Sequence, residues 1–110
     1  MSKEYSCPCL DKCPLQRAMD VIGGKWKLAI LCSLNTNGST RYNELKRKIK
    51  GISNTMLVKS LKELEENGLI NRYEYVEVPI RIEYEVSEKA KSLIPILKEL
   101  AKWGMTLDND

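Results

Sequence analysis

Downstream of Gly68 the apolar residues stop recurring at helical spacing and alternate strictly; downstream of Ser87 the helical spacing returns. Asn71, Tyr73 and Tyr75 alternate with Arg72 and Glu74, and Ile82, Tyr84 and Val86 alternate with Arg81, Glu83 and Glu85, which predicts two strands. Val78-Pro79-Ile80 joins them, so the strands form a hairpin whose tip carries Pro79 and, just beyond, Arg81. A single hairpin inserted between helical segments excludes both a pure helical bundle and an all-β fold. In 110 residues it leaves room for one domain with one core.

The helical segments come in a definite order. Pro14 fits a first helical turn, and Leu15, Ala18, Met19 and Ile22 recur at helical spacing until Gly23-Gly24. Residues 25–34 form a second helix, apolar on most sides through Trp26, Ala29, Ile30, Leu31 and Leu34, and within it Cys32 reads as a small core residue. Asn37-Gly38 is a turn signal, after which residues 42–49 form a third helix with Leu45 and Ile49 inward and Lys46 and Lys48 outward. Ser53 is the expected N-cap of a fourth helix that stops at Asn67-Gly68. Leu57, Leu61 and Leu64 form its inner stripe; Thr55, Lys59, Lys62 and Glu66 lie opposite, flanked by Met56 and Val58. Ser87 caps a last helix that carries two apolar faces, with Pro95 forcing a kink or a restart.

Helix, helix, Gly-containing turn, helix, hairpin, helix is the order of a winged helix-turn-helix domain. The expected fold class is therefore α+β, mainly α, with a two- to three-stranded wing. An N-terminal arm, 1–13, precedes a domain over 14–107.

Charge agrees with that order. The whole chain is only +3, but between Arg41 and Lys62 seven basic residues face one acid, Glu44. Such a patch on the turn motif is the footprint of a polyanion-binding surface. Short polar groups at a helix start reach base edges, and lysines and arginines around it neutralise phosphates. Ser53, Asn54, Thr55, Met56, Lys59 and Lys62 are the candidates for the major groove. Arg41, Lys46 and Lys48 are the candidates for the backbone, and Arg81 for a wing contact to a minor groove or phosphate. The chain has no His, which removes the commonest general base and the imidazole metal sites, and no Gly-rich phosphate loop is present. A DNA-binding protein without enzymatic activity or cofactor is expected. No apolar run is long enough to span a bilayer, so the expected setting is the cytoplasm, without a membrane partner.

Several separated motifs, Cys13-Pro14, Asp20-Val21-Ile22-Gly23-Gly24-Lys25-Trp26, Arg41-Tyr42-Asn43-Glu44-Leu45, Gly51-Ile52-Ser53, Leu61 through Ile70 and Pro79-Ile80-Arg81-Ile82-Glu83-Tyr84, resemble the HxlR family of transcriptional regulators over about residues 13–104. The resemblance implies a homodimer, joined through its first and last helices, that binds near-palindromic operators in double-stranded DNA.

The cysteines leave alternatives open. Cys7, Cys9 and Cys13 form C-x-C-x3-C at the start of the first helix, where the helix dipole favours a thiolate. Cys13 also matches the N-terminal cysteine that thiol sensors of the resembled family use, with Cys7 and Cys9 as possible partners. A redox or electrophile switch at Cys13 is the leading reading. The others are a soft-metal site on the three thiolates and an idle arm. From a different class, a winged-helix module that binds protein instead of DNA remains an alternative.

Overall fold

The computed structural model describes residues 13–108 and places six α-helices and a three-stranded antiparallel sheet along the chain. The elements are α1 (Pro14–Ile22), α2 (Lys27–Asn37), β1 (Thr40–Arg41), α3 (Tyr42–Lys48), α4 (Asn54–Glu66), β2 (Ile70–Tyr75), β3 (Arg81–Val86), α5 (Glu88–Lys91) and α6 (Ile94–Met105), followed by a 3-10 turn, Thr106–Asp108. The winged helix-turn-helix order is present, with α3 and α4 as the turn motif and β2–β3 as the wing.

Helix α4 shows why this sequence folds as it does. The Ser53 side chain accepts a hydrogen bond from the Met56 amide at 3.1 Å, satisfying one of the free donors of the first turn. Thirteen residues later the helix ends in a paired 6→1 and 5→2 closure. The Leu69 amide donates to the Leu64 carbonyl and the Gly68 amide to that of Glu65, with Gly68 at φ +75°. A left-handed residue there without Cβ lets Leu69 turn back beside Leu64, and both are buried. Leu57, Leu61 and Leu64 form the inner stripe as the spacing requires, and Ser60 is buried among them.

Those leucines meet Ile30, Leu31 and Leu34 of α2, Leu45 and Ile49 around α3, Ile70 and Tyr84 of the sheet, and Ala90, Ile94 and Leu97 beyond it, in one core. Removing this apolar surface from water is the main force holding the elements together. Lys27 and Glu63 add an ion pair at 2.9 Å that ties the start of α2 to α4. This pairing, not visible in the helical spacing, lowers the Glu63 carboxyl below its usual range through the lysine's hydrogen bond.

Two expectations change. Helix α2 begins at Lys27 and runs to Asn37 instead of spanning 25–34, because Asn37-Gly38 is its C-cap and not a separate turn. Gly38 sits at φ +76° with its amide on the Leu34 carbonyl, so the helix continues three residues past the last apolar position. Cys32 is exposed instead of buried in the core: at about 100° per residue it points away from the face of Ile30, Leu31 and Leu34. The restart expected near Pro95 is present: α5 ends at Lys91 and α6 begins at Ile94 with Pro95 in its first turn, where a missing amide costs nothing.

Sheet order is β1-β3-β2, with Thr40 opposite Tyr84, Ile70 opposite Val86 and Tyr75 opposite Arg81. Ile70 and Tyr84 of the strands are buried in the core, Ile82 and Val86 pack against it half-buried, and the rest of the hairpin projects as a wing. Ser87 closes its base. Its hydroxyl donates to the Gly68 carbonyl at 2.7 Å and accepts from the Ala90 amide as the cap of α5. The radius of gyration is 16.0 Å, against about 13 Å for a compact domain of 100 residues. Among the described residues no helix is long and apolar enough to cross a membrane.

Candidate nucleic-acid interface

The start of α4 gathers most of the predicted groove residues. Ser53, Asn54 and Thr55 are exposed, Met56 is half-buried, and Lys59 and Lys62 stand one and two turns further along on the side away from the leucine stripe. Val58, 54% exposed, flanks them. The acid of this face, Glu66, is at the far end of the helix. The surface nearest the N-terminus therefore presents hydroxyls, an amide, a methyl-bearing side chain and ammonium groups, which suits base edges and phosphates together.

Helix α3 is held against this surface. The Tyr42 hydroxyl donates to Asn54 Oδ1 at 2.9 Å, which fixes the asparagine's amide group and sets the two helix starts side by side. Leu45 and Ile49 are buried, leaving Arg47 and Lys48 exposed and Lys46 half-buried in the last turn, where cations also favour the helix dipole. Among the described residues no carboxylate lies within ion-pair distance of Lys46, Arg47, Lys48, Lys59 or Lys62.

A cleft of about 850 Å³ separates α3 from the wing, with Arg41, Tyr42, Arg47 and Glu44 on one wall and Glu77, Pro79, Ile80 and Arg81 on the other. Arg41 is well exposed and reaches Glu83 at only 4.0 Å. Arg47 was not among the groove or backbone candidates. It belongs to the basic run from Arg41 to Lys62, and that run was the signal that could have found it.

Arg81 is placed differently from a free wing cation. Its guanidinium contacts Glu83 through Nη1 and Glu77 through Nη2 at 2.8 Å, and stacks over the Tyr75 ring at 4.0 Å from the centroid. Both carboxyls are held below their usual range. Glu77 is lowered by the arginine's hydrogen bonds, and Glu83 by the Ser39 hydroxyl, which donates to it at 2.7 Å, and then by Arg81. The same partners keep Arg81 firmly charged. Beyond this cluster the tip is apolar, with Val76 and Val78 fully exposed and Ile80 more than half exposed.

Two further surfaces carry exposed apolar side chains. Leu15 and Met19 line α1, and Ile96, Leu100, Trp103 and Met105 line α6, with Leu107 just beyond; all are between 45% and 65% exposed. Cys13 is the N-cap residue of α1 and is buried. Cys7 and Cys9 lie outside the described residues. Among the described residues no group of three or more cysteines and carboxylates is placed to hold a metal ion.

Residues 21–110 match the family model described as HxlR-like helix-turn-helix. An uncharacterized HTH-type transcriptional regulator of Methanothermobacter thermautotrophicus is 50% identical over 92 residues, covering 84% of this chain and 70% of that protein. The uncharacterized HTH-type transcriptional regulator YtcD of Bacillus subtilis is 49% identical over 90 residues, covering 82% of this chain and 71% of that one. Among solved structures, the redox regulator HypR in its oxidized form superposes with a TM-score of 0.80 at 37% identity, over 89% of this chain and 99% of its own. The chain belongs to the HxlR-like helix-turn-helix family of transcriptional regulators.

Proposed function

We propose that the protein is a homodimeric regulator that binds a near-palindromic operator through α4 and is switched by thiol chemistry at Cys13. The observation that carries the reading is the polar and cationic face at the start of α4, backed by the unpaired cations of α3. In this account Asn54 and Thr55 read base edges, Val58 meets a thymine methyl, and Ser53 and Met56 border the same groove. Lys59, Lys62, Arg41, Lys46, Lys48 and Arg47 neutralise backbone phosphates and set affinity more than sequence. The cleft between α3 and the wing gives Arg41 and Arg47 a strand to face.

Pairing follows from the apolar surplus on α1 and α6, which a monomer would leave in water. A two-fold through those helices gives two α4 helices for two half-sites. Cys13 stands at the start of one of the pairing helices, so oxidation there changes the packing that spaces the half-sites. Likeness to a redox regulator supports this part of the reading. With no described membrane-crossing helix, a cytoplasmic setting without a membrane partner fits the same role, and no catalytic activity is assigned.

Selection of bound duplexes from a random DNA pool by the reduced protein tests the reading. Enrichment of an inverted repeat, bound less tightly as salt rises, supports a dimeric DNA-binding regulator. Absence of any enriched sequence refutes it and favours a protein-binding winged module. With the selected duplex in hand, loss of the oxidant response in a Cys13→Ser variant supports the switch, and an unchanged response removes Cys13 from it.

A further inference from the structure

We propose that Arg81 is a positioning residue that fixes the pose of the wing tip, and that the wing meets DNA through Val78 and Ile80 and not through this arginine. The proposal rests on the DNA-binding reading above and assigns the chemistry of one part of that interface.

Three observations carry it. The guanidinium is already shared between Glu77 and Glu83, each on a different side of the hairpin turn, so it links the tip loop to β3. Its face lies on the Tyr75 ring, the residue directly opposite it in the ladder, so the planar group is fixed in orientation as well as in charge. Glu83 is in turn held by the Ser39 hydroxyl, which connects the clamp to the chain entering β1.

A cation so placed has little to offer a phosphate. The arginine's charge is already matched by its two carboxylates, one of them shared with Arg41 at 4.0 Å, and approach of a phosphate would require breaking bonds to charged partners that are only partly solvated. What projects past the clamp is Val76, Val78 and Ile80 around Pro79. The cleft residues Arg41, Tyr42 and Arg47 face this tip, and Tyr42 is bonded to Asn54 of α4, so the tip stands at the edge of the same surface as the groove-reading helix start. Apolar side chains are suited to the floor and walls of a minor groove, where they contact sugars and base edges without a charge.

Affinity for the selected duplex, measured as a function of salt for wild type, Arg81→Gln, Glu77→Gln and the double variant, decides the matter. If Arg81 positions the tip, both single variants bind several-fold more weakly, the double variant is no worse than either, and the slope of log affinity against log salt stays at the wild-type value. If Arg81 contacts a phosphate, Arg81→Gln lowers that slope by about 0.9, and Glu77→Gln tightens binding by freeing the arginine and removing an acid from the DNA side. That pattern overturns the proposal, as does an unchanged affinity in Arg81→Gln. Failure of the wild-type protein to bind any duplex is read in the same titration and refutes the underlying DNA-binding reading instead.

Discussion

At the scale of single residues the strongest commitments are local. Leu64 is fully buried, packs in the common core and closes the α4 cap with Leu69, so Leu64→Ala is expected to cost about 2–5 kcal/mol, read as a lower urea midpoint with an unchanged slope. Ser53 has two roles that one pair of variants separates. Ser53→Ala loses the cap and about 1 kcal/mol of stability. Ser53→Asp keeps a capping acceptor but adds an anion to the proposed DNA face, and is expected to weaken operator binding with stability near wild type; equal binding by the two proteins would remove Ser53 from that face. The cap, the leucine stripe and the Gly68 stop were legible because each is decided within four residues along one helix. The same spacing turns Cys32 away from Ile30, Leu31 and Leu34, so its exposure follows from the helix period and not from its small apolar character. Arg81 was not legible, because its occupation depends on a ladder partner and a loop carboxylate that only the folded hairpin brings together.

At the scale of elements, the period-two alternation located both strands and the core-facing side of β3, Ile82, Tyr84 and Val86, but not the burial of β2. Alternation normally marks one face against a core, yet Tyr73 and Tyr75 stand in solvent because the hairpin extends past the helices. Its order therefore comes from side-chain pairs across the strands, including the Tyr73 hydroxyl donating to Glu85 and the Arg81 cluster. This gives a pH dependence with a definite sign. Glu77 and Glu83 have carboxyls lowered below 4.5 in the folded wing, so their contribution to order is complete above that value and is lost as pH falls through the depressed folded-state range. Carboxyl-carbon resonances of the two glutamates are expected to hold steady from pH 7 to 5 and to titrate below 4.5. Titration of either at the ordinary glutamate value would show that the clamp is not formed in solution. Helix α1 and the α5–α6 pair were also legible, through Pro14, Gly23 and Pro95, since proline and glycine act on the backbone whatever packs around it.

At the scale of the whole molecule, the exposed apolar side chains of α1 and α6 are the feature that one chain does not use. Trp103 is large, central on the exposed face of α6 and 61% exposed. Trp103→Glu is expected to give a folded monomer by sedimentation, with operator affinity falling toward that of a single half-site; a variant that stays dimeric would place the interface elsewhere. The sequence indicated this surplus as a second apolar face with Ile96, Trp103 and Leu107 on it, and the packed core, which takes Leu97, leaves those three and Leu100 outside. The candidate DNA surface was legible as a charge run, and its geometry was not, because the Tyr42–Asn54 bond and the cleft between α3 and the wing join segments far apart in the chain. The central claim, that two α4 helices from one dimer occupy successive major grooves, is tested most directly by hydroxyl-radical footprinting of the reduced protein on its selected duplex. The account predicts two protected patches related by a two-fold and centred about one helical turn apart; a single patch, or uniform protection along the duplex, would contradict it.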